Sequence, residues 1–475
     1  MTLTHLASNQ TVKNPVFWVV LISLVNIVSK SLFLNYPDIG LDEPFTLFRA
    51  QKSYPELIAD LARNNHPPLF ESIIWVWIRI VGFNAAWLRV IPMLFSTLAA
   101  LAIFRLGKKH FSLFVGVLAA LLFSFSDYQF YLSHELRSYP LFALFTTLSL
   151  HQYLNFIDNK GHNKYWIGLG VLNALLLYTH YFGAFAILTQ VIHCFLVLRK
   201  RQKSLDFIKA GLLASAIYSI QAIMVFGRWA EKVEVGHWLS HPSIDEIFNV
   251  LGKYLNLPLI AFLSICFIVF GMFRLYGKGQ LNKSMVLLGL FPGAYLLMWI
   301  VAQGLPVFQD RYASFTIVGL VLLMAVSINQ LPRLPKLIVA GIFILGMVAS
   351  VNYKPKNGQW TAEMSEIIKS KKDSNTVVMV YPKWSYHSFS YHYNLDYFRN
   401  YTNTTKLLRQ DNIHFSSEPK FDWAIKQLKR GNRVIFVNFE GSIAEIGKDY
   451  GGFYDIEIID KERQGLLIIS PKKRD

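Results

Sequence analysis

The sequence predicts a mainly α protein: a polytopic transmembrane helical bundle of about eleven spans, followed by a small external α/β domain. Three observations predict it. Of 475 residues, 53% are hydrophobic and only 16% charged, against about 25% charged in ordinary soluble proteins. The deficit falls in apolar runs, each near the roughly 20 residues that cross a bilayer. Beyond about residue 352 the composition turns polar, and short β-forming runs alternate with helical stretches.

The first apolar run, residues 15–34, is longer than a signal-peptide core and no small-residue cleavage site follows it, so it is expected to remain as the first span. Further spans are read at 87–106, 111–126, 140–157, 165–182, 183–198, 207–226, 256–274, 284–303, 313–329 and 336–351. The basic clusters test this reading. Arg105 with Lys108 and Lys109, Lys160 with Lys164, the run 199–203, Arg274 with Lys278 and Lys283, and Arg333 with Lys336 all fall on one side if the spans alternate. Cytoplasmic loops are enriched in Lys and Arg, so that side is expected to be the cytoplasm. Loops 35–86, 127–139, 227–255 and 304–312, the turn at Tyr181 and Phe182, and the polar tail are then external.

Segment 67–83 fits no span. It is apolar but carries Glu71 and Arg79, with Trp75 and Trp77 between them. A charge at the bilayer centre costs roughly 2.5–3.5 kcal/mol, so a helix lying at the external interface is expected, with a true span as the alternative. Two domains follow: 1–352 in the membrane, with its first external loop over about 35–86, and 353–475 outside. In the second domain strands are expected at 376–381, 433–438, 454–459 and 466–469, with helices over 361–370 and 421–429.

The formal net charge is +17. Because the cations sit between apolar runs, they read as loop charge that fixes orientation and meets membrane lipids, with no nucleic-acid partner. Cys194 and Cys266 both lie inside apolar runs. They offer neither a disulfide framework nor a zinc motif.

The chemistry-bearing residues collect in the external loops. Asp42-Glu43 is a pair of adjacent carboxylates just beyond the first span. One can serve as general base for a sugar or alcohol hydroxyl, a weak nucleophile, while the other binds a metal or orients the hydroxyl; the plainer alternative is that Asp42 caps a helix beginning near Pro44. Glu135, Arg137 and Tyr139 stand at the mouth of a span, where Arg137 can face a phosphate and Glu135 a sugar or a metal. Arg311 and Tyr312 open a later span, where an Arg can grip a phosphate with two hydrogen bonds; Arg89 has the same reading, and for each the alternative is an interfacial snorkelling side chain. His66, before Pro67-Pro68, and His180 with Tyr181 are also external. Their spacings match no zinc signature, so no zinc site is assigned. Asp42, Glu43 and Glu135 remain the candidates for a divalent metal ion; no other cofactor is expected. Ionisable groups gathered on one membrane face are functional candidates by default.

These motifs, in this order, resemble the membrane glycosyltransferases of the GT-C superfamily. The likeness is closest to its family 39, which groups protein O-mannosyltransferases with lipid A aminoarabinose transferases. An Asp-Glu in the first external loop, the run His66-Pro67-Pro68-Leu69, Arg89 shortly before a span, Glu135-x-Arg137-x-Tyr139 and the late external Arg311-Tyr312 carry the resemblance. It covers about residues 15–330, and the trailing polar domain fits bacterial members. There are departures. Asn65 and His66 stand where the aminoarabinose branch has an acid and a lysine, which argues against that sugar. Glu135 and Arg137 stand where many relatives have an Asp.

The resemblance implies a multi-pass protein of the bacterial inner membrane with its site on the periplasmic face. It implies transfer, with inversion, of a sugar from a polyprenyl-phosphate donor to a hydroxyl or phosphate on a lipid, glycan or protein acceptor. Asp42 would be the base, Glu43 its support, and Arg137, Arg311 and Arg89 the phosphate grip. The alternative class is a lipid-linked saccharide transporter or flippase. Transporters of that kind show inverted repeats and broken helices at the midplane. The sequence has no internal repeat, and its candidate charges favour one face.

Overall fold

The structure is a computed structural model that describes residues 14–36, 38–40, 42–64, 66–159, 163–233, 241–305, 307–354, 358, 360–418, 420–439, 454–461 and 464–471. Asn65 and Lys160 lie outside the described residues. The chain forms two compact units. One takes the chain up to Leu34 together with Tyr54–Pro355, the other Asn35–Ser53 together with Lys356–Asp475.

The first unit is helical. Asn14 caps the helix Pro15–Ser31 by accepting the Val16 amide, with Pro15 pre-set for the first turn. Ala85–His110 then packs against Leu113–Ser124 at a glycine contact. A Cβ on Gly107 would meet the Gly116 backbone at 2.7 Å. Small residues at such a crossing allow helices in a membrane to approach backbone to backbone. Tyr139–Asp158, Asn163–Thr179, Gly183–Ile192 with its continuation to Leu198, and Arg201–Val233 follow. Pro258–Gly277, Asn282–Gly304, Asp310–Ile328 and Arg333–Ser350 complete the set. Every residue from Ile317 to Ile328 is buried, so this helix is the centre of the unit.

Among the described residues, six helices are long and apolar enough to cross a membrane, or seven if Leu113–Ser124 and Asp127–Ser133, bent by 65°, are one span. The eleven expected segments are all helical, but length and apolarity alone pick out fewer spans than expected. Tyr139–Asp158 explains part of the gap. It carries Thr146, Thr147, Ser149 and Asn155 as buried residues. A helix covered by other helices need not be apolar all round.

The segment expected to lie at the interface is the helix Pro68–Val81. Fourteen residues rise about 21 Å, short of the roughly 30 Å hydrocarbon core. The Arg79 guanidinium lies 3.5 Å from the Trp75 ring centroid, and Trp77 donates to the Trp87 carbonyl at 2.9 Å. The charge thus sits on an aromatic face beside the helix.

Contacts sort the loops of this unit. His110 Nδ1 and Lys283 Nζ both meet Asp158 Oδ2, at 3.0 and 2.8 Å. Lys203 donates to the Phe156 and Asn159 carbonyls. Lys278 reaches Gln330 at 2.9 Å, and Lys336 lies over the Phe114 ring. The basic loops therefore bond to one another. A separate set links the loops between them: Asn256 Oδ1 accepts the Asp127 amide at 2.7 Å, Asp127 Oδ1 accepts the Asn352 amide at 3.0 Å, and Lys253 pairs with Asp310 at 2.6 Å.

The second unit is a three-layer α/β sandwich. Its strands are β1 (Thr376–Tyr381), β2 (Ile413–Phe415), β3 (Arg433–Asn438), β4 (Tyr454–Lys461) and β5 (Gln464–Pro471), in the order β2-β1-β3-β5-β4. β1 runs parallel to β2 and β3, while β5 is antiparallel to β3 and β4. Alternate residues feed two cores, as the period of a strand requires. Val378, Val380, Ile435 and Val437 pack with Met364, Ile368, Phe389 and Leu408 on one face. Met379, Val434 and Phe436 pack with Ala424 and Leu428 on the other. The four expected strands are present; β2, three residues long, is too short to show an alternating pattern.

Segment 35–53 is assigned to the membrane domain by sequence position, but it packs with the second unit. Asp38 accepts the amides of Thr361 and Ala362 at the start of the helix Trp360–Lys371, from 323 positions away in the chain. Nothing local in the sequence encodes such a pairing.

Candidate active site

In the first unit three separate stretches of chain converge. Tyr139 begins the helix Tyr139–Asp158, with Pro140 in its first turn, and is 2% exposed. His180 stands in the turn between Asn163–Thr179 and Gly183–Ile192. Asp310–Thr316 is a 3-10 turn leading into the central helix and carries Arg311 and Tyr312. The His180 ring stacks on Phe142 at 4.7 Å, and lies 6.1 Å from Tyr139 and 5.4 Å from Tyr312. Phe182 extends the wall, 5.4 Å from Tyr312.

Two cations face this aromatic wall. The Arg311 guanidinium is 5.9 Å from the Tyr139 ring centroid. Arg137 and Arg311 both act electrostatically on Tyr139 and on His180. Arg311 is aimed by its neighbours. Its Nε donates to Gln309 Oε1 at 2.7 Å, and its amide donates to Asp310 Oδ1 at 2.7 Å. Asp310 is itself held by Lys253. The Phe182 amide donates to His180 Nδ1 at 3.2 Å. Nδ1 therefore carries no proton, and the ring is neutral with its proton on Nε2. Glu135 is buried and accepts the Tyr131 hydroxyl. Arginine pairs with an aromatic floor suit a phosphate ester, whose oxygens take forked guanidinium bonds.

In the second unit, Asp42 and Glu43 begin the helix Glu43–Ala50, with Pro44 in its first turn. Asp42 occupies the N-cap position, yet its side chain makes no capping hydrogen bond. The capping role is thus not realised. Glu43 is 5% exposed. Carboxylates at a helix N-terminus are also favoured by the helix dipole. Phe48 on the same helix is ringed by Tyr386, His387, Phe398 and Tyr401, at centroid distances from 4.6 to 6.1 Å.

His387 in that ring set gives a pH prediction. Burial pushes its pKa down to about 4, helped by the nearby Arg49 and Lys52, against an opposing hydrogen bond to the Trp384 carbonyl. The unfolded chain binds this proton below about 6.5, while the folded unit resists it until about 4. Stability is therefore expected to fall as pH drops from about 6.5 to 4 and to lose nothing further below, by up to about 3 kcal/mol. Thermal unfolding of the purified chain across that window should show the slope, and His387→Gln should remove this part of it.

The remaining predicted residues take other positions. Arg89 is fully buried and donates to the Leu34 carbonyl at 3.0 Å, fixing the chain where it leaves the first helix. His66 is half-buried after Tyr54–Arg63, with its amide on the Leu61 carbonyl. The Tyr181 hydroxyl accepts from Gln221 at 3.3 Å. Two basic residues escaped the sequence reading. His134 reaches the Leu32 carbonyl at 3.0 Å, beside Arg89. Lys30 is fully buried and bonds Asn26 at 2.6 Å and Ser96 at 2.8 Å. A Lys in the last turn of an apolar helix reads as a snorkelling end residue; only packing reveals that it points inward.

Known proteins match this architecture. Residues 65–226 fit the dolichyl-phosphate-mannose-protein mannosyltransferase family. The structure is similar to ArnT from Cupriavidus metallidurans in the apo state, at TM-score 0.62 and 12% identity, covering 95% of this chain and 97% of that one. The chain shares the fold of that protein. ArnT bound to undecaprenyl phosphate is similar at TM-score 0.61 and 11% identity, over 96% and 98% of the two chains. The Archaeoglobus fulgidus oligosaccharyltransferase in complex with Zn and sulfate is similar at 0.51 and 13%, over 91% of this chain and 69% of that one. No curated protein sequence matches the chain.

Two features of the structure bear on ligands. An apolar groove of about 640 Å³ runs between Asp245–Tyr254, Pro258–Gly277 and the bend after Asn282–Leu288, lined by residues such as Ile265, Ile268, Phe273, Leu288 and Phe291. Among the described residues, no group of three or more His, Cys, Asp or Glu side chains could hold a metal ion.

Proposed function

We propose that this protein is a membrane glycosyltransferase that moves a sugar from a polyprenyl-phosphate donor to an acceptor hydroxyl or phosphate on the periplasmic face, with inversion. The observation that carries the reading is the convergence of Arg137 and Arg311 on the wall of Tyr139, His180 and Tyr312. Two guanidinium groups there suit the phosphate of a lipid-linked donor. The apolar groove suits an isoprenoid chain, which gains from every methylene removed from water or filled into packing space.

The reaction is a single displacement. The acceptor oxygen bonds to the anomeric carbon while the carbon–oxygen bond to phosphate breaks, and the polyprenyl phosphate leaves with the electron pair. Asp42 takes the hydroxyl proton in the same step. Glu43 supports or orients that group. Arg137 and Arg311 neutralise the charge that grows on the leaving oxygen, so no strong general acid is required. One displacement from one side inverts the anomeric configuration. Glu135 stands two residues before Arg137 at the same helix mouth, and Arg89 anchors the chain at Leu34.

The family match over 65–226 and the likeness to ArnT support this class. Mass spectrometry of envelope glycans and glycolipids, in cells with and without the gene, tests it. The expected result is one glycan or glycolipid lighter by a single sugar residue in the deletion strain. Identical profiles under conditions where the protein is made would overturn it.

A further inference from the structure

We infer that the C-terminal α/β unit is a holder for the acid pair, and that His392, Ser388 and Phe48 are positioning residues for the transfer. The inference rests on the reading of Asp42 and Glu43 as the reacting carboxylates. It draws on four sets of contacts within the second unit. Upstream of the pair, the Asp38 amide donates to the Gly358 carbonyl at 3.2 Å, and the Asp38 carboxylate caps the helix Trp360–Lys371. The Ile39 carbonyl accepts from Ser388 Oγ at 2.8 Å and from His392 Nε2 at 3.2 Å, and His392 also stands 3.9 Å from Asp38. Downstream, Phe48 is enclosed by four rings from the second half of the chain. Gln51 then ties the helix end to the Phe398 carbonyl at 3.1 Å.

The pair is thus pinned on both sides, three residues after Ile39 and five before Phe48. Its backbone is continued by buried Leu47 and Ala50, both 0% exposed. The protein donors behind this arrangement sit on Tyr386–Tyr393, the helix that follows β1. The α/β unit therefore sets the backbone from which both carboxylates project. A displacement of about 1 Å in a reacting group lowers turnover by about 100-fold. Loosening this mount should act on the chemical step and spare the binding of the donor phosphate, whose proposed grip comes from residues of the other unit.

The test uses the full chain in nanodiscs and in cells lacking the wild-type copy. Variants are His392→Ala, its conservative partner His392→Gln, which keeps a donor for the Ile39 carbonyl, Phe48→Ala, and Asp42→Asn as reference. Three readouts are compared: amide exchange of residues 38–51 against that of β1 and β3, binding of undecaprenyl phosphate as the probe, and sugar transfer by mass spectrometry of envelope glycolipids. His392→Ala and Phe48→Ala are expected to speed exchange over 38–51 while β1 and β3 stay protected. Probe binding should remain within about 3-fold, transfer should fall by about 10- to 100-fold, and His392→Gln should restore most of it. Wild-type transfer in His392→Ala and Phe48→Ala, with Asp42→Asn inactive, overturns the holder and leaves the acid reading standing. Full transfer by Asp42→Asn overturns both.

Discussion

Asp42→Asn is expected to lower turnover by about three orders of magnitude, within the range of 10²- to 10⁴-fold for loss of a general base, while changing donor binding little. The amide keeps the size and most of the polarity of the carboxylate but cannot take up a proton. The structural ground is specific. Asp42 stands at the N-cap of Glu43–Ala50 and its side chain makes no capping bond there, so the change removes no cap. Glu43→Gln should cost less turnover, because a supporting group acts through the base. Membranes containing each variant, assayed with a polyprenyl-phosphate sugar, give the comparison. Unimpaired turnover in Asp42→Asn would remove this residue from the base role.

The second large effect is expected at the arginine pair. Arg311→Ala should reduce turnover by about 10²- to 10³-fold, as loss of one oxyanion donor does elsewhere, and Arg137→Ala should act alike. Both should also weaken inhibition by free undecaprenyl phosphate, because the same groups meet the leaving phosphate. Arg311→Lys separates charge from geometry. Lys keeps the positive charge but lacks the planar fork, and Gln309 would no longer set its direction as it does now through Nε. A partial loss is therefore expected, between wild type and Arg311→Ala. Unchanged inhibition by undecaprenyl phosphate in Arg311→Ala would sink the phosphate role.

Much of the candidate site was legible residue by residue. Glu135-x-Arg137-x-Tyr139 and Arg311-Tyr312 stand out in the sequence as charged and aromatic groups at the mouths of apolar helices, and His180 as a polar residue in a tight turn. Their convergence in the first unit could be expected only from the alternation of spans. The aromatic partners Phe142 and Phe182 were not legible, because in a chain that is 15% aromatic a further Phe beside a span carries no signal. Lys30 was hidden for a related reason: its sequence position fits a helix end that reaches for water, and only the tertiary packing turns it toward Asn26 and Ser96. Tyr181 is adjacent to His180 in sequence, yet its hydroxyl meets Gln221, since neighbours in a turn point different ways.

The sequence by itself determined the helical membrane-type core, the polar α/β tail, four of its five strands, and the short helix bearing Arg79 and Glu71. Those follow from hydropathy and from periods of 3.6 and 2, which are local properties of the chain. Tertiary structure alone decided where the acid-bearing segment belongs. Asp38 to Gln51 is held by residues more than 300 positions later, through hydrogen bonds to single carbonyls and amides and a cluster of rings around Phe48. Contacts between distant stretches depend on the shapes both present once folded, and no local pattern of residue types encodes them.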